Sequence, residues 1–184
     1  MRIAGIEKMG YYPTPSRTLT HLTRLLAASP GSHTRLLDPC AGEGEALAAV
    51  AEELRQQGAQ PESYAVELST ERAGKAAQLL DHTLCADWWD VTTRRRSYAL
   101  LWLNPPYDWE VGQGNSKRQR MEYRFLQATI DKLAPGGVLV YLVPRAMLGD
   151  QKAMRLLSAH CEKLTVWRLP EGEYERFQQV VCVG

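Results

Sequence analysis

Residues Thr34–Gln56 read TRLLDPCAGEGEALAAVAEELRQ, and this stretch decides the architecture. Thr34 to Leu37 is a short buried strand that runs into Asp38-Pro39. Glu43 to Gln56 is Ala-rich and helical, closing near Gly58. Between them, Gly42 and Gly44 let a backbone turn pass close to a ligand without Cβ collisions. Working outward, the same alternation recurs. Upstream, Ser16 to Ala28 places Leu19, Leu22, Leu25 and Leu26 on one helical face, entered through Pro13 and Pro15. Downstream come a strand at Ser63–Val66, a helix at Thr70–Leu80 and strands at Thr83–Ala86 and Tyr98–Leu103. A helix from Tyr123 to Leu133 ends at Pro135-Gly136-Gly137, a turn signal. Val138–Val143 (VLVYLV) is the most apolar strand, as suits the centre of a covered sheet. Met147–His160 is helical, and Leu164–Leu169 and Phe177–Val183 are two closing strands. The pattern predicts an α/β fold: a mostly parallel sheet of seven strands with helices on both faces.

The chain has 184 residues and 20.7 kDa, which fits one domain over residues 1–184. A chain this long buries roughly 70% of its unfolded surface and needs no metal or disulfide to fold. Lys and Arg number 22 against 21 Asp and Glu, a net charge of +1 that excludes a strongly basic nucleic-acid coat while leaving room for local patches. Cys40, Cys85, Cys161 and Cys182 are far apart, without zinc-ligand spacing or a disulfide framework, so no metal site is expected. The N-terminus lacks the apolar core of a signal peptide, and no apolar run reaches the ~18 residues of a membrane span. A cytoplasmic protein with no membrane partner is expected.

In such sheets ligands bind beyond the carboxyl ends of the strands. A dinucleotide fingerprint would need a small residue at position 47, where Leu47 stands, and Glu43 and Glu45 would repel phosphates. The acidic loop suits a ligand with an amino group and positive charge. The second strand ends in Glu67, able to accept hydrogen bonds from both hydroxyls of a ribose. The third is followed by Asp87, placed to accept from an adenine amino group. Either acid alone is more often a solvated loop residue; three acids at the ends of three successive strands are harder to dismiss. The fourth strand delivers Asn104-Pro105-Pro106-Tyr107.

This set, in this order, resembles the class I S-adenosylmethionine-dependent methyltransferases, in particular the amino-methylating branch with an Asn-Pro-Pro-Tyr motif. With Thr14-Pro15 ahead of the Asp38–Gly44 loop, the order looks like the gamma arrangement of adenine-N6 DNA methyltransferases. The resemblance covers nearly the whole chain. It implies a Rossmann-like sheet closed by an antiparallel strand, and S-adenosylmethionine as cofactor. The residues implied to bind it are Tyr12, Thr14, Asp38, Cys40, Gly42, Gly44, Glu67, Asp87 and Asn104. Many relatives carry Phe or another bulky residue where Cys40 stands. Gamma enzymes usually carry a separate target-recognition region after the catalytic domain, whereas the sequence here stops at the seventh strand; a catalytic fragment, recognition by a separate subunit or domain, and action on another substrate are the alternatives.

The chemistry asks for these residue types. A conjugated exocyclic amine is a poor nucleophile because its lone pair is delocalised. The Asn104 side-chain oxygen and the Pro105 carbonyl can each accept one hydrogen bond from the amine. Together they favour a pyramidal nitrogen and stabilise the positive charge developing on it. Pro105 and Pro106 hold the backbone rigid and lack competing donors. Tyr107 can stack on a planar substrate, and a phenylalanine would then replace it silently.

Arg94-Arg95-Arg96 and the later run with Lys117, Arg118 and Arg120 are candidate phosphate contacts or ordinary solvated surface. Trp88, Trp89 and Trp109 are candidates for a base pocket or for core packing. The leading expectation is methyl transfer to adenine N6 in DNA. Guanine-N2 methylation of ribosomal RNA, glutamine methylation of a protein factor, and a non-catalytic cofactor-binding subunit that presents nucleic acid are the alternatives.

Overall fold

The computed structural model describes residues 12–107 and 119–184. The strands are β1 (His33–Asp38), β2 (Gln60–Glu67), β3 (His82–Cys85), β4 (Tyr98–Leu103), β5 (Leu133–Pro144), β6 (Thr165–Arg168) and β7 (Gln179–Val183). The helices are α1 (Ser16–Thr23), α2 (Glu45–Gln56), α3 (Thr70–Ala76), α4 (Met121–Thr129), α5 (Gln151–His160) and α6 (Glu173–Phe177). They form one sheet in the order β3-β2-β1-β4-β5-β7-β6, in which β7 alone runs against the other strands.

Strict alternation along the central strands splits the core between the two faces. Leu36, Leu100 and Val140 point to the face covered by α1, α2 and α3, with Leu22, Leu47, Val50 and Leu54 packed on them. Their neighbours Leu37, Leu101 and Tyr141 point to the face of α4 and α5, against Phe125, Leu126 and Leu157. The continuous apolar runs seen in the sequence are thus strands buried on both sides.

Two expectations need correction. The Pro135-Gly136-Gly137 turn lies inside β5. Leu133 already opposes Tyr98 and Val138 opposes Leu100, so two steps along β4 span five along β5 in an irregular bulge. The last strand begins later than its apolar pattern suggests, because residues 173–177 form α6 and Gln178 turns the chain at φ 52°. The expected antiparallel strand is β7. It inserts between β5 and β6, antiparallel to both, so the outermost strand on that side is the exposed β6.

The direction of the chain positions the site. From β1 it proceeds through β2 to β3 on one side, then crosses to β4 on the other. The carboxyl ends of β1 and β4 therefore flank a topological switch point, where a crevice opens. Since Leu37 pairs with Leu101, the loop after Asp38 and the turn after Leu103 emerge side by side. The N-terminal segment is brought over them by an unusual cap. Pro15 stands at the N-cap of α1 without a side-chain bond. Instead, Glu173 of α6 accepts from the backbone N–H groups of Arg17 and Thr18, and from Thr18 Oγ1 at 2.6 Å.

Candidate active site

Cys40, Glu67, Arg72, Asp87, Trp89 and Asn104 line a cleft across the carboxyl ends of β1, β2, β3 and β4. The loop after β1 is held in place by its own acid. Asp38 is 3% exposed and accepts from the Cys40 backbone N–H at 2.9 Å. Burial, with a smaller push from the Glu67 charge, raises its pKa to about 7, so a cationic ligand nearby would draw it back to the ionised form. The Cys40 thiol is pushed well up by burial and by the Asp38 and Glu67 charges, and it stays a neutral lining group. Gly44 caps α2 at φ 84°, and a Cβ there would meet the Ala76 Cα at 3.0 Å. Only glycine lets α2 and α3 approach this closely beneath the loop. Gly42 serves differently, because its N–H points at Glu67.

Glu67 is 5% exposed and held from two directions. Its Oε2 accepts from Gly42 N at 2.9 Å, while Oε1 accepts from Ser69 N at 2.8 Å and from Arg72 Nε and Nη2 at 3.0 and 2.7 Å. The acid ties the β1 loop to the β2 loop. Arg72 is the site residue that sequence reasoning missed. A signal for it exists: a cation in the first turn of a helix opposes the helix dipole and calls for a nearby acid. Asp87 caps the 3-10 turn Trp88–Asp90, accepting from Trp89 N at 3.2 Å. Of the tryptophans, Trp88 is core, whereas Trp89 is 39% exposed and faces the cleft between Phe125 and the Arg124 guanidinium, 4.4 Å from its ring centre. Trp109 lies outside the described residues.

The turn after β4 joins the N-terminal segment. Asn104 Nδ2 donates to the Tyr12 carbonyl at 2.8 Å and lies 3.4 Å from Thr14 Oγ1, while its Oδ1 accepts from the Tyr107 hydroxyl at 2.5 Å. The Tyr12 carbonyl can only accept, so it fixes which way the amide faces. Tyr12 and Tyr107 stack at 5.2 Å and 23°. The structure thus brings Tyr12, Thr14, Asn104 and Tyr107 together and revises the reading of Tyr107. One ring face is already covered, and the hydroxyl orients Asn104. Burial holds this phenol well above its ordinary pKa, so it remains a donor. Pro105 is buried beneath the turn, and Pro106 lines the cleft.

Among the described residues, the basic candidates do not converge here. Arg94–Arg96 precede β4 and therefore sit at the opposite end of the sheet, a strand length of about 20 Å away. There Arg95 pairs with Asp131 at 2.8 Å, and Arg96 donates its N–H to the Asp131 carbonyl. Arg120 lies on the cleft side, but its guanidinium is engaged by Glu122, 0% exposed, at 2.6 and 3.2 Å. Lys117 and Arg118 lie outside the described residues. Among the described residues, no His, Cys, Asp or Glu group could hold a metal, and no helix is long and apolar enough to cross a membrane.

Comparisons with known proteins bear on the fold and the family. A search of curated proteins finds none that matches the chain. Solved structures share the fold. A protein of Listeria monocytogenes assigned as a class I S-adenosylmethionine-dependent methyltransferase superposes with a TM-score of 0.76 at 17% identity, over 92% of this chain and 59% of that one. The methyltransferase subunit of a type I restriction-modification system from Streptococcus thermophilus gives 0.75 at 19%, over 96% and 45%. A modification subunit from Vibrio vulnificus, assigned to a type I restriction enzyme, gives 0.67 at 16%, over 95% and 44%. The chain spans about half the length of these structures. At the level of sequence the match is direct: the profile of the uncharacterised methyltransferase family DUF6094 covers residues 2–184, and the chain belongs to that family.

Proposed function

We propose that this protein transfers the methyl group of S-adenosylmethionine to an exocyclic amino group, with adenine N6 in DNA as the leading target. When bound, the cofactor supplies an electrophilic methyl on a sulfonium. The donor set fits it. The Asp38–Gly44 loop offers acidic and backbone groups to an amino acid moiety carrying positive charge, Glu67 lies where a ribose would pass, and Asp87 where an adenine amine would. Thr14 and Tyr12 close over the junction with Asn104.

The observation that carries the reading is the orientation of the Asn104 amide. Its nitrogen is anchored on the Tyr12 carbonyl, so its oxygen is the acceptor, with Tyr107 holding one lone pair and a second left for an amine hydrogen. The Pro105 carbonyl would take the other hydrogen. Two fixed acceptors direct the nitrogen lone pair toward the methyl and stabilise the charge that forms. The protonated amine product is acidic enough to need no strong base.

The binding of nucleic acid is the part of this reading that the basic residues support least. Arg95 and Arg120 are both ion-paired, and the Arg94–Arg96 run is remote from the cleft. Phosphate contacts would then come from a target-recognition subunit or domain, in keeping with a chain that spans about half of the restriction methyltransferase subunits it resembles. The same observation favours glutamine methylation of a protein as the second reading, since a side-chain amide needs no phosphate clamp. Incubation with tritiated S-adenosylmethionine and separate DNA, RNA and protein fractions tests both. Label recovered from DNA as N6-methyladenine supports the first, label confined to protein replaces it with the second, and label in no fraction, with or without added partner subunits, counts against catalysis.

A further inference from the structure

Glu67 is a carboxylate whose acceptor capacity is already claimed. An ionised carboxylate offers about four lone-pair positions, two on each oxygen. Oε1 carries three donors, from Ser69 N and the two Arg72 nitrogens, and Oε2 carries one, from Gly42 N. A ribose diol needs an acceptor for each hydroxyl. It finds one position open on Oε2 and none on Oε1. Two of the present donors are backbone groups, set by the turns that lead into α2 and α3. The Arg72 side chain is the one donor that can leave Oε1 without rebuilding the main chain. It lines the same cleft, with 13% of its side chain exposed.

We propose that Arg72 sets the affinity of the cofactor site by occupying the acceptor that the ribose requires. The guanidinium supplies a countercharge to a buried carboxylate whose other donors are the backbone N–H groups of Gly42 and Ser69. Binding of the nucleoside exchanges this fork for a hydroxyl on Oε1. The exchange weakens binding of substrate cofactor and of demethylated product alike, which favours product release. This inference rests on the ribose role of Glu67 proposed above.

The sign of the effect separates a competitor from a brace. Calorimetry with S-adenosylhomocysteine at pH 8 compares the wild type, Arg72→Met, Glu67→Gln and the double variant. Freeing one hydrogen-bonding position should tighten binding by roughly 3–10-fold in Arg72→Met, and the gain should disappear when Glu67→Gln is also present. Arg72→Lys keeps the charge but loses the fork, and should tighten binding by a smaller factor if Arg72→Met does not fold. Unchanged or weaker binding in the folded variants, with the wild type binding normally, overturns the role of Arg72 alone. Failure of the wild type itself to bind S-adenosylhomocysteine overturns the cofactor site, and this inference with it.

Discussion

The two ends of β4 lie on one strand and have opposite characters. At the amino end, Arg94–Arg96 form a charged run whose members pair with Asp131 or sit in exposed turn structure. At the carboxyl end, Asn104–Tyr107 carry no formal charge, yet every polar atom of the Asn104 side chain is committed to a partner. In a parallel sheet the carboxyl ends converge on the switch point, where loops from neighbouring strands can build a shared cleft. The amino end of β4 instead borders a groove lined by Arg95, Arg96, Asp131 and the start of β5. Under the proposed function a neutral amide in a preorganised network governs the chemistry, and three cations a strand length away take no part in it.

The sharpest way to break this contrast is Asn104→Ala. Loss of one preorganised acceptor in a water-excluded site should lower the chemical step by about 2.7–4 kcal/mol, on the order of a hundred- to a thousand-fold. Single-turnover methylation measures it, and S-adenosylhomocysteine affinity should change much less. A small effect on rate would return the Asn-Pro-Pro-Tyr turn to a merely structural role.

Next in size is the pH response of Asp38, on the strand beside β4. Its folded pKa, about 7, lies above the unfolded value near 3.8, so the native state binds the extra proton. Its contribution is present in full below about pH 4 and is lost as pH rises through 7, with a slope of at most about 1.4 kcal/mol per pH unit. Thermal melts of the ligand-free protein should show this decline across that window, and Asp38→Asn should flatten it. Affinity for the cationic cofactor should rise over the same range in the wild type only. Identical pH profiles for the two proteins would place the Asp38 pKa near its ordinary value.

Tyr107→Phe sharpens the comparison at the level of a single oxygen. Stacking alone predicts silence, whereas the hydroxyl on Asn104 Oδ1 predicts a loss of about 0.5–1.5 kcal/mol in the chemical step. Equal kcat for the two proteins would favour stacking. The smallest effect belongs to the far end. Neutralising Arg94, Arg95 and Arg96 together should leave the methylation rate unchanged, and the exposed Arg95–Asp131 pair should matter by no more than about 1 kcal/mol. A rate that falls sharply, or a salt dependence of binding that flattens by roughly 0.9 log unit per lost contact, would show that nucleic acid reaches the amino end after all.

Most of the fold was legible because its strands are continuous apolar runs and its connections carry glycine or proline. The starts of α4 and α5, the bulge in β5 and the insertion of β7 between β5 and β6 were not legible, since they depend on what packs beside each segment. The acids Asp38, Glu67 and Asp87 and the turn at Asn104 could be found from their positions after strands. Local sequence determined those features: backbone stiffness, side-chain alternation and the residue types at strand ends act over a few neighbours. Tertiary structure alone decided that Arg72 would hold Glu67, that Glu173 would cap α1 from 155 residues away, and that Tyr107 would bond to Asn104 beneath Tyr12. It also sent Arg94–Arg96 to the opposite end of the strand from the site. Hydrogen bonds and ion pairs depend on distance in space, and the order of the chain does not state that distance until strand direction and sheet order are set.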